Sequence, residues 1–430
     1  MLKVKLGIFF WLCYFGLQAQ FYSVGGKLTD SLTGDPLSYA SVYFKQSFFG
    51  TLSNLEGEFF LENDPDFFDD SLVVSLIGYE TQIVPPGKLV DSITIALVPK
   101  TYALKEVVIL PKPAEYYVMK AGENIPVNYA SKAFNSTVYY RELLKENGEF
   151  SHFLEAIMNA YNKAYNDTVD SNQLSIATSK IYEDVADIQF MHKRIEKENK
   201  KAKKKAEKEG KEFDEDEDGF AINMGNPVFL FNYNLLRTRR SFFRQENMKK
   251  YEFILDGVIE SEGMNMLVIS FDQRPHVKEA LFKGKMYLEE ESLAVVSLEY
   301  SYSERGKKYL FPKKVSAAMW VLGLRVEEPY LDVTIRSSKK GDLWVLDDIL
   351  LSADAILEKR HLFKENERSM FDAEIFLSVV ERELDRADKI PVEKQVKIKP
   401  AFKKQLTHDP ENPLWDRYLL MKPERFLEKF

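Results

Sequence analysis

The sequence predicts a mainly β protein, in which a small N-terminal β-sandwich is followed by a larger curved antiparallel sheet, half-barrel-like, with a few helices. Short strand-like runs separated by turn residues occupy 26–110, and longer alternating runs follow from residue 128. Alternation with period 2 is typical of strands with one buried face, and short strands between regular turns are typical of sandwiches. The chain has 430 residues. That length allows two to four domains at roughly 100–200 residues each.

Residues 1–20 are predicted to be a secretory signal peptide. Lys3 and Lys5 form a basic start, the run 6–17 is apolar, and Leu17-Gln18-Ala19 is an approximate cleavage site. The apolar run is shorter than the roughly 20 residues that a membrane-spanning helix needs. We therefore expect an exported protein that is periplasmic or associated with the outer membrane.

Cys13 is the only cysteine of the chain, and it lies inside that apolar run. Bulky residues precede it, whereas a bacterial lipidation site has small residues before its cysteine, so we expect no lipid anchor at this position. Removal of the leader would leave no thiol for disulfides or for thiolate chemistry. Packed cores must then stabilise the folded protein.

The N-terminal strands are defined by their turns. Thr33 to Pro36 combines turn-forming residues with a proline that fixes φ, and Asn54 to Gly57 is a second turn with a glycine that is free to adopt positive φ. Gly78 interrupts the Val- and Leu-rich run 72–84, and Ile93 begins an alternating strand. Tyr79 follows Gly78, and we interpret it as a core aromatic residue.

Five pieces of this stretch form a recognisable set: Gly26 to Asp30, Thr33 to Tyr43, Asn54 to Phe59, Ile77 to Glu80 and Leu104 to Ile109. In order and spacing they resemble the carboxypeptidase-regulatory-like domain. This small transthyretin-like or Ig-like β-sandwich occurs in envelope proteins of Bacteroidota, including the N-terminal extension of SusC-like TonB-dependent transporters. The resemblance implies a scaffold over residues 21–110 rather than a catalyst. It also implies partners among other envelope proteins, outer-membrane or TonB-linked, reached by strand addition at a sandwich edge.

The segment 111–127 is predicted to be a linker, because Pro111-Lys112-Pro113 stiffens the chain after the last strand. In SusC-like transporters a plug and a long barrel follow this point. The roughly 320 residues that follow here lack a train of amphipathic membrane strands. We therefore expect that the chain is not itself a transporter.

The second domain, 128–400, is predicted to be a meandering antiparallel sheet. Asn147-Gly148 is a strong hairpin signal between two alternating runs, and 339–342 predicts another hairpin. In the run 294–303 apolar residues alternate with Ser and Glu, which indicates a long strand with one solvated side. A C-terminal tail, 401–430, contains His408-Asp409, for which we expect a turn.

Three pieces of this domain carry a further resemblance: Thr137 to Arg141, Tyr251 to Gly257 and Gly284 to Ala294. They are similar to the region that follows the regulatory-like domain in uncharacterised Bacteroidota envelope proteins, and the meander resembles the half-barrel of outer-membrane lipoprotein carriers. The resemblance implies an apolar concave face that holds a hydrophobic ligand. The alternative is that a helix fills this face. Asn226 to Leu236, with apolar residues spaced for one helical face at Phe229, Leu230, Tyr233 and Leu236, is the candidate.

A charged insertion spans 193–218, with a Lys/Glu-rich first part and an acidic end. Such blocks are typical of a solvated helix followed by a loose acidic loop, and the basic part alternatively contacts anionic lipid. Asp214, Asp216, Asp218 and Gly219 match the first half of an EF-hand calcium loop, but Gly225 stands where that loop needs its closing glutamate. We predict an exposed insertion and no metal site.

No catalytic motif was found: there is no His-Glu-x-x-His, no Gly-x-Ser-x-Gly, no phosphate-binding glycine loop and no dinucleotide fingerprint. Neighbouring acidic residues such as Asp347 and Asp348 point to opposite faces of a strand, which is unsuitable for shared acid and base catalysis. The five histidines lack metal-ligand spacing: His152, His192, His276, His361 and His408. The net charge of −8 argues against a nucleic-acid partner.

We therefore predict no catalytic, cofactor-binding or metal residues and no enzyme activity, and the sequence leaves the binding residues unknown. Three classes of function stay open. The first is a noncatalytic scaffold or docking module for other envelope components. The second is a periplasmic carrier of a lipid or lipoprotein that uses the curved sheet, and the third is an enzyme whose site no linear motif reveals.

Overall fold

A computed structural model describes residues 22–45, 50–63, 69–76, 78–89, 92–100, 112–165, 172–182, 200, 203–204, 206–210, 226–238, 241–261, 263–311, 313–321, 323–361, 365–398, 401–418 and 421–422. The chain divides into two compact units, Met1–Tyr102 with Leu419–Phe430, and Ala103–Tyr418. The predicted leader and the EF-hand-like piece 214–225 lie outside the described residues. None of the described helices is long and apolar enough to cross a membrane.

The small unit contains two short sheets with the strand orders β4-β1-β7 and β3-β2-β5-β6. Its strands are β1 (Tyr22–Asp30), β2 (Ser41–Phe44), β3 (Gly50–Leu52), β4 (Glu58–Asn63), β5 (Leu72–Ser75), β6 (Gln82–Val84) and β7 (Ile93–Leu97). One apolar core joins side chains from both sheets, among them Val24, Leu28, Val42, Phe59 and Val74. This arrangement confirms the predicted sandwich.

The turn that ends at Gly57 depends on glycine. Gly57 has a φ of +76°, and a Cβ atom there would lie 2.4 Å from the carbonyl oxygen of Leu28. The Asn54 side chain completes the turn, because its Oδ1 accepts hydrogen bonds from the backbone N–H groups of Glu56 and Glu58, at 3.0 and 2.8 Å. Conformational freedom and lack of a side chain are thus both required at Gly57.

Among its described residues, the second unit is built on one ten-stranded antiparallel sheet with the order β10-β9-β8-β17-β16-β15-β14-β13-β12-β11. Its strands are β8 (Phe134–Glu146), β9 (Glu149–Asn162), β10 (Gln173–Tyr182), β11 (Tyr251–Ser261), β12 (Met264–Gln273), β13 (Phe282–Glu289), β14 (Val295–Tyr302), β15 (Leu324–Lys340), β16 (Leu343–Lys359) and β17 (Glu367–Glu383). The curved sheet is not closed among the described residues, since β10 and β11 are its edges. The predicted fold class is confirmed.

Both predicted hairpins are present. Asn147 and Gly148 have φ values of +54° and +83°, so both central residues adopt the left-handed conformation that a type I′ turn requires. Gly341, with a φ of +61°, closes the hairpin between β15 and β16. The predicted solvated side of β14 is drier than expected, because Ser297 is completely buried.

The segment predicted as a linker contains a helix, α1 (Ala114–Asn128), which buries Tyr117, Val118 and Ile125. At Gly122 a Cβ atom would lie 2.6 Å from the carbonyl oxygen of Phe243. The helix is therefore held by tertiary packing, and the proline-rich start at 111–113 concealed it. Four further α-helices have both ends within the described residues, and all are short: α2 (Pro227–Leu230), α3 (Gln245–Met248), α4 (Lys313–Val321) and α5 (Leu414–Arg417).

Part of the predicted tail is ordered against the edge of the large sheet. His408 pairs with Ser179 in an isolated parallel bridge, and its Nδ1 accepts a hydrogen bond from the backbone N–H of Ile181 at 3.0 Å. The Ser179 hydroxyl donates to the carbonyl oxygen of Thr407 at 2.7 Å. His408 thus continues the sheet beyond β10, where we had expected a turn.

Candidate binding surfaces

One face of the large sheet, here called the inner face, is continuous and apolar. The strand registers place these buried side chains on it: Leu267, Ile269, Met286, Leu298, Tyr300, Val333, Ile335, Ile349, Leu351, Leu377, Tyr140, Leu154 and Ala156. This is the face on which the sequence predicted either a hydrophobic ligand or a filling helix. What covers it decides between these two alternatives.

Near β8 the inner face is covered by the chain itself. The ring of Phe402 lies edge-on to Tyr140, with 5.3 Å between ring centroids. The Tyr140 hydroxyl donates a hydrogen bond of 2.6 Å to Glu142, a carboxylate that is 3% exposed. Burial raises the pKa of Tyr140 well above its ordinary value. This end of the face is packed core with a satisfied polar pair.

At the opposite edge an aromatic cluster covers β11 and β12. Phe242, which is completely buried, contacts the rings of Tyr251, Phe253 and Phe271 with centroid separations of 5.2, 5.7 and 4.6 Å. Tyr251 is itself 1% exposed. Such aromatic contacts contribute about 0.5–1.5 kcal/mol each beyond the burial of area. The inner face here is a stable core.

The segment predicted to fill the face, Asn226 to Leu236, lies between these two regions. It forms the short helix α2 and a 3-10 turn rather than one continuous helix, and the Asn226 side chain caps α2 by accepting from Val228 N–H at 2.9 Å. Leu230 and Leu236 are buried, and the Tyr300 hydroxyl donates to the carbonyl oxygen of Tyr233. Phe229, placed on the packing face by its spacing, is instead 38% exposed.

An open cleft lies beside α4, where β15 begins and β16 ends. Its volume is about 1040 Å³, and Phe311, Met319, Trp320, Leu324 and Val326 are apolar residues in its lining. We call it the α4 cleft. Trp320 is 81% exposed and the adjoining Val321 is 74% exposed. Large apolar groups with this exposure are typical of interaction surfaces.

A tight turn fixes α4 against β15. Gly323 has a φ of +64°, and a Cβ atom there would lie 2.8 Å from the carbonyl oxygen of Arg360. The backbone N–H of Arg360 donates to the carbonyl oxygen of Gly323 at 2.7 Å. The helix and the end of β16 are thereby held at a defined spacing on either side of the α4 cleft.

The lining residues of the α4 cleft that are charged at neutral pH are cations. Arg325, Lys359 and Arg360 line it, and no Asp or Glu occurs among the described residues of the lining. Three carboxylates contact residues of the lining: Glu327 lies 3.0 Å from Arg325, Glu358 lies 2.9 Å from Arg360, and Glu367 lies 3.1 Å from His361. The hydrogen bond from Arg360 is the largest cause of the lowered pKa of Glu358. The arrangement suits an apolar group that carries negative charge.

The opposite face of the sheet carries charged side chains in the β14–β16 region. Arg336 contacts Asp348 at 2.7 Å, and burial raises the pKa of the carboxyl groups of Glu299 and Asp332. Asp347 contacts Arg382 instead, so the two neighbouring aspartates have separate partners, in agreement with their predicted opposite orientations. In the described part of the chain no three His, Cys, Asp or Glu side chains are placed to hold a metal ion.

The histidines whose side chains are described belong to different elements. His361 lines the α4 cleft, and its Nε2 lies 3.1 Å from Glu367. His276 is exposed in a loop, and His408 pairs with β10. The described part of the charged insertion, at 200, 203–204 and 206–210, is largely exposed. The sequence did not predict the α4 cleft. The sequence feature that could have indicated this cleft is the apolar pair Trp320-Val321, which lies between the cationic residues Lys313 and Arg325.

Comparison with known proteins identifies the N-terminal module. Residues 24–109 match the family model described as the CarboxypepD_reg-like domain. This match confirms the resemblance that the sequence motifs indicated. No curated protein matches the chain.

Solved structures similar to the chain have low sequence identity. A DUF1329 family protein from Desulfovibrio piger is 9% identical, with 63% of this chain and 94% of that chain covered and a TM-score of 0.22. A LolA superfamily protein from Nitrosomonas europaea is 10% identical, with 66% and 98% covered and a TM-score of 0.21. A putative membrane-associated protein of unknown function from Bacteroides fragilis is 10% identical, with 84% and 99% covered and a TM-score of 0.15.

Proposed function

We propose that this chain is an exported, noncatalytic envelope protein that acts as a scaffold and docks other envelope components through its carboxypeptidase-regulatory-like sandwich. The leader pattern at 1–20 and the domain at 24–109 support the location and the role. The observation that carries the scaffold role is the filled inner face. A sheet whose apolar face is covered by its own chain does not expose that face to a ligand.

The edge strand β6 is the docking site that we propose within the sandwich. It ends the order of its sheet, pairs with β5, and contains Gln82, Ile83 and Val84 without a charged residue. Ile83 is 53% exposed. Uncharged exposed edges are open to strand addition, whereas proteins that avoid such pairing place charges there.

The other edge of the same sheet is already occupied. Met421, from the C-terminal part of the chain, forms a parallel bridge with Leu52 of β3. The Lys422 ammonium contacts Glu58 at 2.7 Å, and the backbone carbonyl oxygen of Lys422 accepts a hydrogen bond from the Asn54 side chain at 3.2 Å. Among the described strands of this sheet, β6 is therefore the edge without a second paired strand, which supports it as the docking site.

Capture from cross-linked cells tests the proposal. The full chain is compared with Ile83→Lys, which places a charge on β6, and with Thr94→Lys, a matched change at an exposed position of β7. We expect a defined set of envelope proteins with the wild type and with Thr94→Lys, and a loss of most of it with Ile83→Lys. Equal recovery with all three chains, or fractionation into the cytoplasm, would refute the proposal.

A carrier of a lipid or lipoprotein is the second candidate, and the volume and apolar lining of the α4 cleft favour it. Because the inner face is filled, this candidate rests on the cleft and not on the sheet. Organic extraction of the purified protein followed by mass spectrometry tests it. A stoichiometric lipid supports the carrier, and a clean extract removes its support.

The noncatalytic part of the proposal has its own test. The chain is incubated with envelope peptides and glycans, and the products are followed by mass spectrometry. We expect no turnover above that of a heat-unfolded sample. Turnover that a single polar substitution abolishes would establish the third alternative, an enzyme.

A further inference from the structure

The helix α4 and the residues beside it form a surface in which large apolar side chains alternate with cations. Phe311, Val315, Trp320 and Val321 are 38, 44, 81 and 74% exposed. Lys313 is exposed at the start of the same helix. We propose that this surface, here called the α4 surface and completed by Arg325 and Arg360, docks the protein onto an anionic lipid bilayer.

The apolar half of the argument concerns Trp320. In a unit that buries Trp344 to 2% and Trp415 to 8% exposure, a tryptophan left 81% exposed next to an exposed valine is the exception. An indole ring has an apolar body and one N–H donor, so it is favoured where an apolar phase meets water. Insertion of Trp320 and Val321 at the level of the lipid headgroups would remove this surface from water.

The positions of the exposed residues fit shallow insertion. Ser316, Met319, Trp320 and Val321 all line the α4 cleft, and Val321 is the last residue of the helix. The turn at Gly323 holds this end of the helix to the end of β16. A short helix anchored in this way presents its apolar side chains without crossing the bilayer.

Charge complementarity selects an anionic surface. Arg325 and Arg360 have side chains that are each 56% exposed, and each contacts its glutamate through one nitrogen, Nη1 and Nε respectively. A guanidinium has five N–H donors, so a lipid phosphate can be bound while the ion pair is retained. The cleft lining contributes a third cation, Lys359, and no carboxylate among its described residues.

The overall charge of the chain works against this attraction. With a net charge of −8, the protein as a whole is repelled by an anionic membrane, and only a local cationic surface makes contact favourable. Repulsion of distant charges and attraction of nearby ones are both screened by salt, with a Debye length of about 10 Å at 0.1 M. The contact should therefore be orientation-specific, and it goes beyond the protein docking proposed for β6.

Vesicle cosedimentation of the full chain tests the inference. We expect about tenfold stronger partitioning onto phosphatidylglycerol-containing vesicles than onto pure phosphatidylcholine, and a decrease of several-fold at high salt. Trp320→Ala should reduce partitioning at least about fivefold, and Arg325→Gln with Arg360→Gln should remove most of the preference for anionic lipid. Ile254→Ala is the matched control, because Ile254 is 63% exposed on β11, and it should bind like the wild type.

A depth measurement separates insertion from other causes. The difference between the fluorescence of the wild type and that of Trp320→Phe isolates the emission of Trp320. Brominated lipids should quench this Trp320 emission. Equal cosedimentation of wild type and Trp320→Ala would overturn the inference. A change in Trp320 fluorescence that depends on protein concentration in the absence of vesicles would also overturn it, because such a change identifies an interface between copies of the chain. A response to monomeric fatty acid but not to vesicles would also overturn it, in favour of the carrier.

Discussion

Arg336 and Asp348 form an ion pair across β15 and β16, with 2.7 Å between Nε and Oδ1 and side-chain exposures of 14 and 8%. Burial raises the pKa of Asp348, while the neighbouring Arg336 opposes that shift. The two charges are therefore tolerated in the sheet because each is the other's partner.

Replacement of Arg336 by Met should destabilise the large unit by about 3 kcal/mol, because it leaves a buried carboxylate without its cation. Urea unfolding at pH 7 measures the change. The double variant Arg336→Met with Asp348→Leu removes both charges, and we expect it to recover most of the lost stability. A double variant no more stable than the single one would contradict this account.

Replacement of Glu299 by Gln should stabilise the large unit at pH 7 by an amount of order 1 kcal/mol. The pKa of Glu299 is raised chiefly by burial. The group contributes stability in full below its unfolded pKa, near 4.5, and this contribution is lost as the pH rises through the folded pKa. Unfolding curves should show that Glu299→Gln increases the free energy of unfolding less at pH 4 than at pH 7. The exposed Glu291→Gln is the control, with no change expected at either pH.

Replacement of Tyr79 by Phe should raise the pKa of Asp30. The Tyr79 hydroxyl donates to Asp30 Oδ2 at 2.8 Å, which confirms a structural role for Tyr79 beside the sandwich core. The pKa of Asp30 is lowered first by the backbone N–H of Leu32, then by Tyr79 and then by Thr33.

NMR titration of the Asp30 carboxyl in the two proteins measures this change. In the variant the pKa of Asp30 should still be lowered in part, because the backbone N–H donors of Leu32 and Thr33 remain. A wild-type value equal to that of the variant would show that the hydroxyl contact has no electrostatic effect. In the wild type, burial and Asp30 raise the pKa of Tyr79 to about 12, which ultraviolet titration can follow.

Replacement of Gly57 by Ala should destabilise the sandwich by about 2 kcal/mol or more, because positive φ and a clash with the Leu28 carbonyl add together. Gly34 provides a matched control: it has a φ of +78°, but nothing lies within 4 Å of an added Cβ. Gly34→Ala should cost about 1 kcal/mol. Thermal unfolding followed by circular dichroism compares them, and equal losses would show that the close approach at Gly57 is unimportant.

Replacement of Phe242 by Ala should destabilise the large unit by about 4 kcal/mol, the range expected when a buried aromatic residue leaves a cavity. Phe229→Ala, at a 38% exposed position of α2, should cost less than about 1 kcal/mol. Calorimetry measures both. A small loss at Phe242 would indicate that the inner face is loosely covered, and it would reopen this face to a ligand.

The elements that local sequence determines were the ones predicted well. Asn147-Gly148 specifies a tight hairpin, because both residues accept positive φ without tertiary help. The turn at 54–57 is also specified by its own residues, through the Asn54 side-chain hydrogen bonds and the positive φ of Gly57. Strand alternation placed Leu298 and Tyr300 on one face, and the structure agrees.

Other features depend on contacts between residues far apart in the chain. The helix α1 follows a proline-rich start, and its burial depends on residues such as Phe243 that come more than a hundred positions later. Phe229 has the spacing of a packing residue but is exposed, because α2 ends after one turn. The α4 cleft exists because a turn holds the helix beside β16, which no local pattern encodes.

By itself, the sequence determined the β class, the turns, the two hairpins and the carboxypeptidase-regulatory-like module, since each depends on local conformational preference or on a contiguous motif. Tertiary structure alone decided that the inner face is core and that Trp320 stays exposed among cations. An apolar pattern states that a face avoids water, and only the packed chain shows whether protein or something else covers it.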